Sequence, residues 1–248
     1  MHSWFRPLKG VARVLFLAVA VVAPASAGDS PPDPLKHVAL RLAQHNLLRI
    51  IAFGSSSTEG VGASSPAATY PSRLLKDLSA LLPAKQRVVV LNRGVGGEDA
   101  DDMAKRLPAV IAEQPDLIIW QTGSNDALRG VPVSRFIDET VSGVRAIRAA
   151  HIDVMLMEPQ LCKALEGKEA SPLYRDVVRL IGEDMRVPVI RRYDLMRTWL
   201  ATGVLSADEM LSPDGLHMAD GGYAKLAEVI AADIVRGARP ALVAGASR

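Results

Sequence analysis

A serine, an aspartate and a histidine in this chain stand where nucleophilic acyl chemistry needs them. Ser56 lies in Phe53-Gly54-Ser55-Ser56-Ser57-Thr58-Glu59-Gly60, directly after the apolar run Leu47-Leu48-Arg49-Ile50-Ile51-Ala52. Far along the chain, Ser212-Pro213-Asp214-Gly215-Leu216-His217 offers Asp214 and His217 from one short turn. A serine hydroxyl is a weak nucleophile until an imidazole takes its proton, and the imidazole needs an acceptor to fix its tautomer. Two further segments follow strand-like runs: Asn92-Arg93-Gly94-Val95-Gly96-Gly97 and Gly123-Ser124-Asn125-Asp126. Each brings amide donors of the kind that hold an oxyanion. The four segments together specify acyl transfer at a serine far better than any one alone.

The competing readings are weaker. The Gly54 segment lacks the Lys that a phosphate-binding loop places after its glycine. Thr58 stands where the nucleophile elbow of α/β-hydrolases has its second glycine. Gly94-Val95-Gly96 begins like a dinucleotide fingerprint, but Asp99 occupies the third glycine position. Asp214, His217 and Asp220 would make a metal site of two carboxylates and one imidazole, yet no second histidine or acidic cluster supports it. Gly123 to Asp126 are also good turn residues, with Asp126 expected to cap the segment that follows. His37, His45 and His151 read as structural, and Cys162 as a packed or loop-lining thiol with nothing nearby to activate it.

The elements that must position these residues alternate. Strand-like runs cover 48–53, 87–92, 117–121, 154–158 and 187–191, and helix-period segments cover 70–82, 99–113, 133–149, 173–185 and 219–234. Strands that are apolar almost throughout are expected to be covered by helices on both faces. Right-handed crossovers then predict a parallel sheet in a three-layer αβα sandwich. The first three motifs fall just beyond the first, second and third strands, where open parallel sheets place ligands.

With these motifs the chain resembles the SGNH hydrolases of the GDSL family of serine esterases and lipases, over about 49–227. By resemblance Ser56 matches the first-block nucleophile, Gly97 the second-block glycine and Asn125 the third-block asparagine. Asp214 and His217 match the fifth-block pair. The resemblance implies a flavodoxin-like α/β fold with a five-stranded parallel sheet and a Ser56–His217–Asp214 triad. The oxyanion hole would be formed by the Ser56 and Gly97 amides and the Asn125 carboxamide, without cofactor or metal. One position departs from the pattern: Ser55 stands where the family has Asp. That Asp is not the triad acid, so the change bears on how the nucleophile turn is braced.

Composition adds place and partners. Arg6, Lys9 and Arg13 precede the apolar stretch 14–23, and Ala25-Ser26-Ala27 gives a small-x-small cleavage site. This is the layout of a signal peptide over 1–27, and the stretch is shorter than the roughly 20 residues a membrane span needs. Its removal would take the formal net charge from +2 to −1 and leave a single 28–248 domain. The expected location is periplasmic or secreted, without stable membrane insertion. No Lys/Arg run suggests a nucleic-acid partner. One cysteine cannot make an internal disulfide, so the core must hold by packing.

The sequence therefore predicts an exported serine esterase acting on small-molecule, glycan or lipid acyl esters. The first block looks more like the Thr-x-Gly version of carbohydrate esterases, and no lid insertion is evident, which leans toward short acyl groups such as acetyl on a saccharide. A lysophospholipase or arylesterase, an O-acyltransferase using the same site, and a silent glycan-binding domain are the alternatives.

Overall fold

The computed structural model describes residues 35–245. In chain order it contains α1 (Lys36–Ala43), β1 (Leu48–Gly54), α2 (Ser56–Glu59), a 3-10 turn (Pro66–Ala68), α3 (Tyr70–Leu81), β2 (Val88–Gly94), α4 (Ala100–Ala112) and β3 (Leu117–Gln121). There follow α5 (Ser124–Arg129), α6 (Val133–Ala149), β4 (Asp153–Met157), α7 (Lys163–Glu166), α8 (Ser171–Asp184), β5 (Val189–Ile190), α9 (Arg192–Ala201), α10 (Ala207–Met210) and α11 (Asp220–Gly245). The five strands are all parallel, in the order β2-β1-β3-β4-β5.

Successive strand side chains point to opposite faces, and this alternation divides the core in two. Leu48, Ile50 and Ala52 of β1, Leu117 and Ile119 of β3, and Met155 and Met157 of β4 pack under α1, α3 and α11. Ile51 and Phe53, Ile118 and Trp120, and Val154 and Leu156 pack under α4, α6 and α8 on the other face. The result is the expected three-layer α/β sandwich. Each fully buried Ile, Leu or Phe contributes about 1.5–3 kcal/mol, which lets packing hold a fold whose single cysteine, Cys162, is buried and unpaired.

Most expected elements appear within a residue or two, and the exceptions have physical causes. The fifth strand shrinks to Val189–Ile190 because Pro188 has no N–H to donate and Arg191 already caps α9. At the opposite edge, β2 is only half-buried, so it lacks the two-sided cover expected of the central strands. The last helix runs well beyond the predicted 219–234. Helices α1 and α9 were not predicted. The expected signal peptide at 1–27 lies outside the described residues.

The strand order places a switch point beside β1. The chain crosses from β1 to β2 on one side and from β2 to β3 on the other, so the loops beyond β1, β2 and β3 meet at the carboxyl end of the sheet. Register brings those ends level: Gly54 pairs with Gly94, and Phe53 with Trp120.

Candidate active site

Ser56 opens α2 two residues beyond the last pairing of β1, at Gly54. This strand-to-helix reversal is held by Gln121, the final residue of β3. Its Oε1 accepts from the Ser55 amide at 2.9 Å, the Ser55 hydroxyl at 3.1 Å and the Thr58 hydroxyl at 3.2 Å. Gln121 is 1% exposed, so water does not replace these bonds. The departure from Asp to Ser at position 55 is thus met by a carboxamide from the neighbouring strand.

The loop after β2 comes against the same turn. A Cβ on Gly94 would stand 2.0 Å from the Glu59 amide nitrogen, so only glycine allows the two segments to approach this closely. Val95 N–H donates to Gly54 O at 3.0 Å, and Asn92 Nδ2 donates to Glu59 O at 3.1 Å. Gly97 follows with φ of 81° and an exposed backbone.

Asn125 lies in the first turn of α5. Its Nδ2 donates to Glu98 O at 2.7 Å, which ties the carboxamide to the residue next to Gly97. A carboxamide has two N–H donors, so this bond orients Asn125 and leaves the second donor for an oxyanion. The sequence suggests that Asp126 caps the segment that follows, but the N-cap of α5 is Gly123 without a side-chain cap bond, and Asp126 reaches α4. Its Oδ1 accepts from Ala100 N at 3.0 Å, at the start of α4. Burial pushes this carboxyl up to about 6, because the charged form is desolvated.

The histidine loop is a closed turn. Gly215 N–H donates to Ser212 O at 2.9 Å, and Gly215 adopts the left-handed φ of 66° that favours glycine. Ser212 N–H donates to His217 O at 2.9 Å, and Leu211 bridges Met218 antiparallel. Asp214 Oδ1 accepts from the Ser212 hydroxyl at 2.7 Å and from the Leu216 and His217 amides, each at 2.9 Å. Desolvation disfavours the charged carboxylate, but the His217 ring bond, these amides and the Ser212 hydroxyl outweigh it. They hold Asp214 well below the usual carboxylate range.

Asp214 Oδ2 lies 2.6 Å from His217 Nδ1, and His217 Nε2 lies 2.8 Å from Ser56 Oγ. With the carboxylate ionised, Nδ1 carries the proton and Nε2 accepts from the serine hydroxyl. The structure therefore joins Ser56, His217 and Asp214 in one hydrogen-bonded series, and it links Asn125, in the first turn of α5, to Glu98 beside Gly97 on the loop after β2.

Other candidates fall elsewhere. Asp220 accepts from the Ser64 amide at 2.8 Å and hydroxyl at 2.5 Å, which fastens the loop after α2 to the start of α11. No grouping of His, Cys, Asp and Glu able to hold a metal occurs among the described residues. Asp99 is the N-cap of α4, accepting from Asp102 N at 3.2 Å. His37 and His151 lie near each other, with ring centroids 6.3 Å apart. Their neighbourhood is the amino end of the strands, around Asp116 and Asp153. The Cys162 thiol is buried, and that burial pushes it up, away from thiolate chemistry. Sequence reasoning missed Gln121, Gln160 and Arg192. A polar residue closing an apolar strand was the available signal for Gln121.

The non-GDSL lipase-like family matches residues 22–240. The chain is 27% identical over 169 residues to an arylesterase of Vibrio mimicus, covering 68% of this chain and 79% of the relative. Among solved structures, a lipase/acylhydrolase from Enterococcus faecalis superposes with a TM-score of 0.65 at 27% identity, over 75% of this chain and 95% of that one. A two-domain esterase active on acetylated mannans superposes with a TM-score of 0.69 at 20% identity, over 86% of this chain and 56% of that one. At that identity the second likeness concerns the fold alone.

Proposed function

We propose, for a chain that belongs to the non-GDSL lipase-like family of SGNH hydrolases and is a carboxylic ester hydrolase, that Ser56 is the nucleophile of a two-step acyl transfer. The observation that carries the reading is the unbroken series from Asp214 through His217 to Ser56 Oγ. Ser56 Oγ attacks the ester carbonyl carbon while His217 Nε2 takes its proton, and Asp214 stabilises the imidazolium. The carbonyl oxygen becomes an oxyanion held by the Ser56 and Gly97 amides and the free N–H of Asn125. Collapse expels the alcohol, which takes the proton from His217. Water then repeats the sequence on the acyl-enzyme and releases the acid.

The substrate reading is a short-chain acyl ester. Gly96 and Gly97 are exposed beside the nucleophile, and Val95 is 41% exposed on the same loop. An open rim of this kind gives a long acyl chain little surface to bury. The arylesterase relative supports ester hydrolysis in general; short acyl groups, and an acetylated saccharide as the narrower form, are the proposal's own. The exported location belongs to the same proposal and rests on the composition of residues 1–27.

The test joins labelling to kinetics. Ser56→Ala is expected to abolish both ester turnover and labelling by an organophosphonate, whereas Ser55→Ala and Ser57→Ala retain label. Asn125→Ala is expected to keep the label site but to lower kcat on the order of 100- to 1000-fold, as loss of one oxyanion donor does. A panel of p-nitrophenyl esters should favour acetyl and butyryl over long chains. Label mapped to another serine, or a preference for long chains, overturns the corresponding part.

A further inference from the structure

Beyond the three motifs, the carboxyl end of β4 also reaches the site, through Glu158-Pro159-Gln160. Gln160 is 3% exposed, and its carboxamide touches three separate segments. Its Oε1 accepts from Ser124 Oγ at 2.8 Å and from Arg192 Nη2 at 2.7 Å. Its Nε2 donates to Leu216 O at 3.3 Å. Ser124 immediately precedes Asn125, and Leu216 immediately precedes His217. One side chain thus joins the residues before the oxyanion donor and before the base.

The polarity of this carboxamide is not free. A guanidinium only donates, so Arg192 requires an oxygen opposite it. Oε1 must therefore face Arg192, and Nε2 is left for the Leu216 carbonyl. Arg192 is itself wholly buried and fixed, with Nε donating to Glu158 O at 3.1 Å. Glu158 is held in turn by Arg179 through bonds of 2.6 and 2.8 Å, and its Oε1 accepts from the Tyr193 amide at 3.0 Å. Desolvation lowers Arg192 to about 10, so it remains a cation at neutral pH.

We infer that Gln160, with its orientation set by Arg192, is a positioning residue that holds the His217 loop in register with the Asn125 turn. It touches no reacting atom; it fixes where two groups that do so stand relative to each other. The inference rests on the proposed roles of Ser56, His217 and Asn125. Catalytic groups displaced by about an ångström lose on the order of 100-fold in rate, while a substrate held elsewhere keeps its affinity.

The discriminating change is Gln160→Glu. A carboxylate has the same shape, keeps acceptors for Ser124 and Arg192, and gains the charge of Arg192 as partner. It cannot donate to Leu216 O and instead sets an oxygen against that carbonyl. The expected result is a folded protein whose kcat falls about 10- to 100-fold with KM within about twofold. A kcat within twofold of the native value, or a loss carried by KM, overturns the inference. Should the variant be insoluble, Ser124→Ala decides: kcat is expected to fall several-fold at constant KM, and an unchanged kcat overturns it. Ser56→Ala runs alongside. If it abolishes turnover while Gln160→Glu does not lower kcat, only the positioning role fails; if it retains turnover, the reading of the site fails and the inference with it.

Discussion

Gln121→Met tests whether the Ser56 turn is braced as the structure shows. Methionine fills nearly the same volume, so the substitution removes an acceptor without opening a large cavity. Three donors lose their partner: the Ser55 amide, the Ser55 hydroxyl and the Thr58 hydroxyl. A buried donor left unsatisfied costs about 1–3 kcal/mol, and hydroxyls can rotate toward other acceptors where a backbone amide cannot. The amide therefore sets the floor, and the expected loss of stability is about 2–4 kcal/mol. Urea unfolding followed by fluorescence measures it as a shift in midpoint at constant slope. The double variant Ser55→Ala/Gln121→Met should cost less than the two single changes summed, because they share one hydrogen bond. Organophosphonate labelling of Ser56 should slow in the same variant, since the residue before Ser56 has lost its anchor. An unfolding midpoint and labelling rate equal to those of the native chain would refute the brace.

Two further outcomes follow from other residues. Asp126 has a folded-state value of about 6, raised by burial, so the fold prefers its protonated form. Its stabilising contribution is full below the ordinary carboxylate range and is lost as pH rises toward 6 and beyond. Asp126→Asn should remove that loss and gain on the order of 2 kcal/mol relative to the native chain at pH 8, with little difference at pH 4; parallel stability–pH curves would count against it. For export, mass spectrometry of chain recovered from the medium or periplasm should find Gly28 first, and an intact Met1 would overturn cleavage after Ala27.

The layers of the fold were legible because strand burial is written in composition. Ile50-Ile51-Ala52-Phe53 and Leu117-Ile118-Ile119-Trp120 leave no polar face to alternate, and only a sheet covered twice accepts such runs. Val187-Pro188-Val189-Ile190 carried the same apolar signal, but a proline cannot donate to a ladder and the strand contracted around it. Helix α9 was hidden for another reason. An arginine is ordinarily expected at the surface, whereas Arg192 is wholly buried. Its burial depends on the Glu158 carbonyl and the Gln160 side chain, and these come from another strand, which no local pattern reveals.

The same distinction explains what was legible in the site. Chemistry narrows the choice of residue at a reacting atom: a hydroxyl, an imidazole and a carboxylate in suitable segments leave few other purposes, so Ser56, His217 and Asp214 stand out by type. A supporting carboxamide is chosen by geometry instead. Gln121 accepts three bonds and Gln160 takes part in three, yet glutamine is among the least informative residues in a sequence. Its value arises only when strands pair and place its two unlike ends against a donor and an acceptor. That both lie at the carboxyl ends of central strands, Gln121 ending β3 and Gln160 just past β4, follows from the topology. This edge is where backbone pairing stops and irregular loops begin, so their amides and carbonyls need partners from side chains. The strand ends that present Ser56 therefore also supply the groups that keep its turn in place, and a polar residue closing an apolar strand at this edge is a better predictor of a positioning role than its residue type alone.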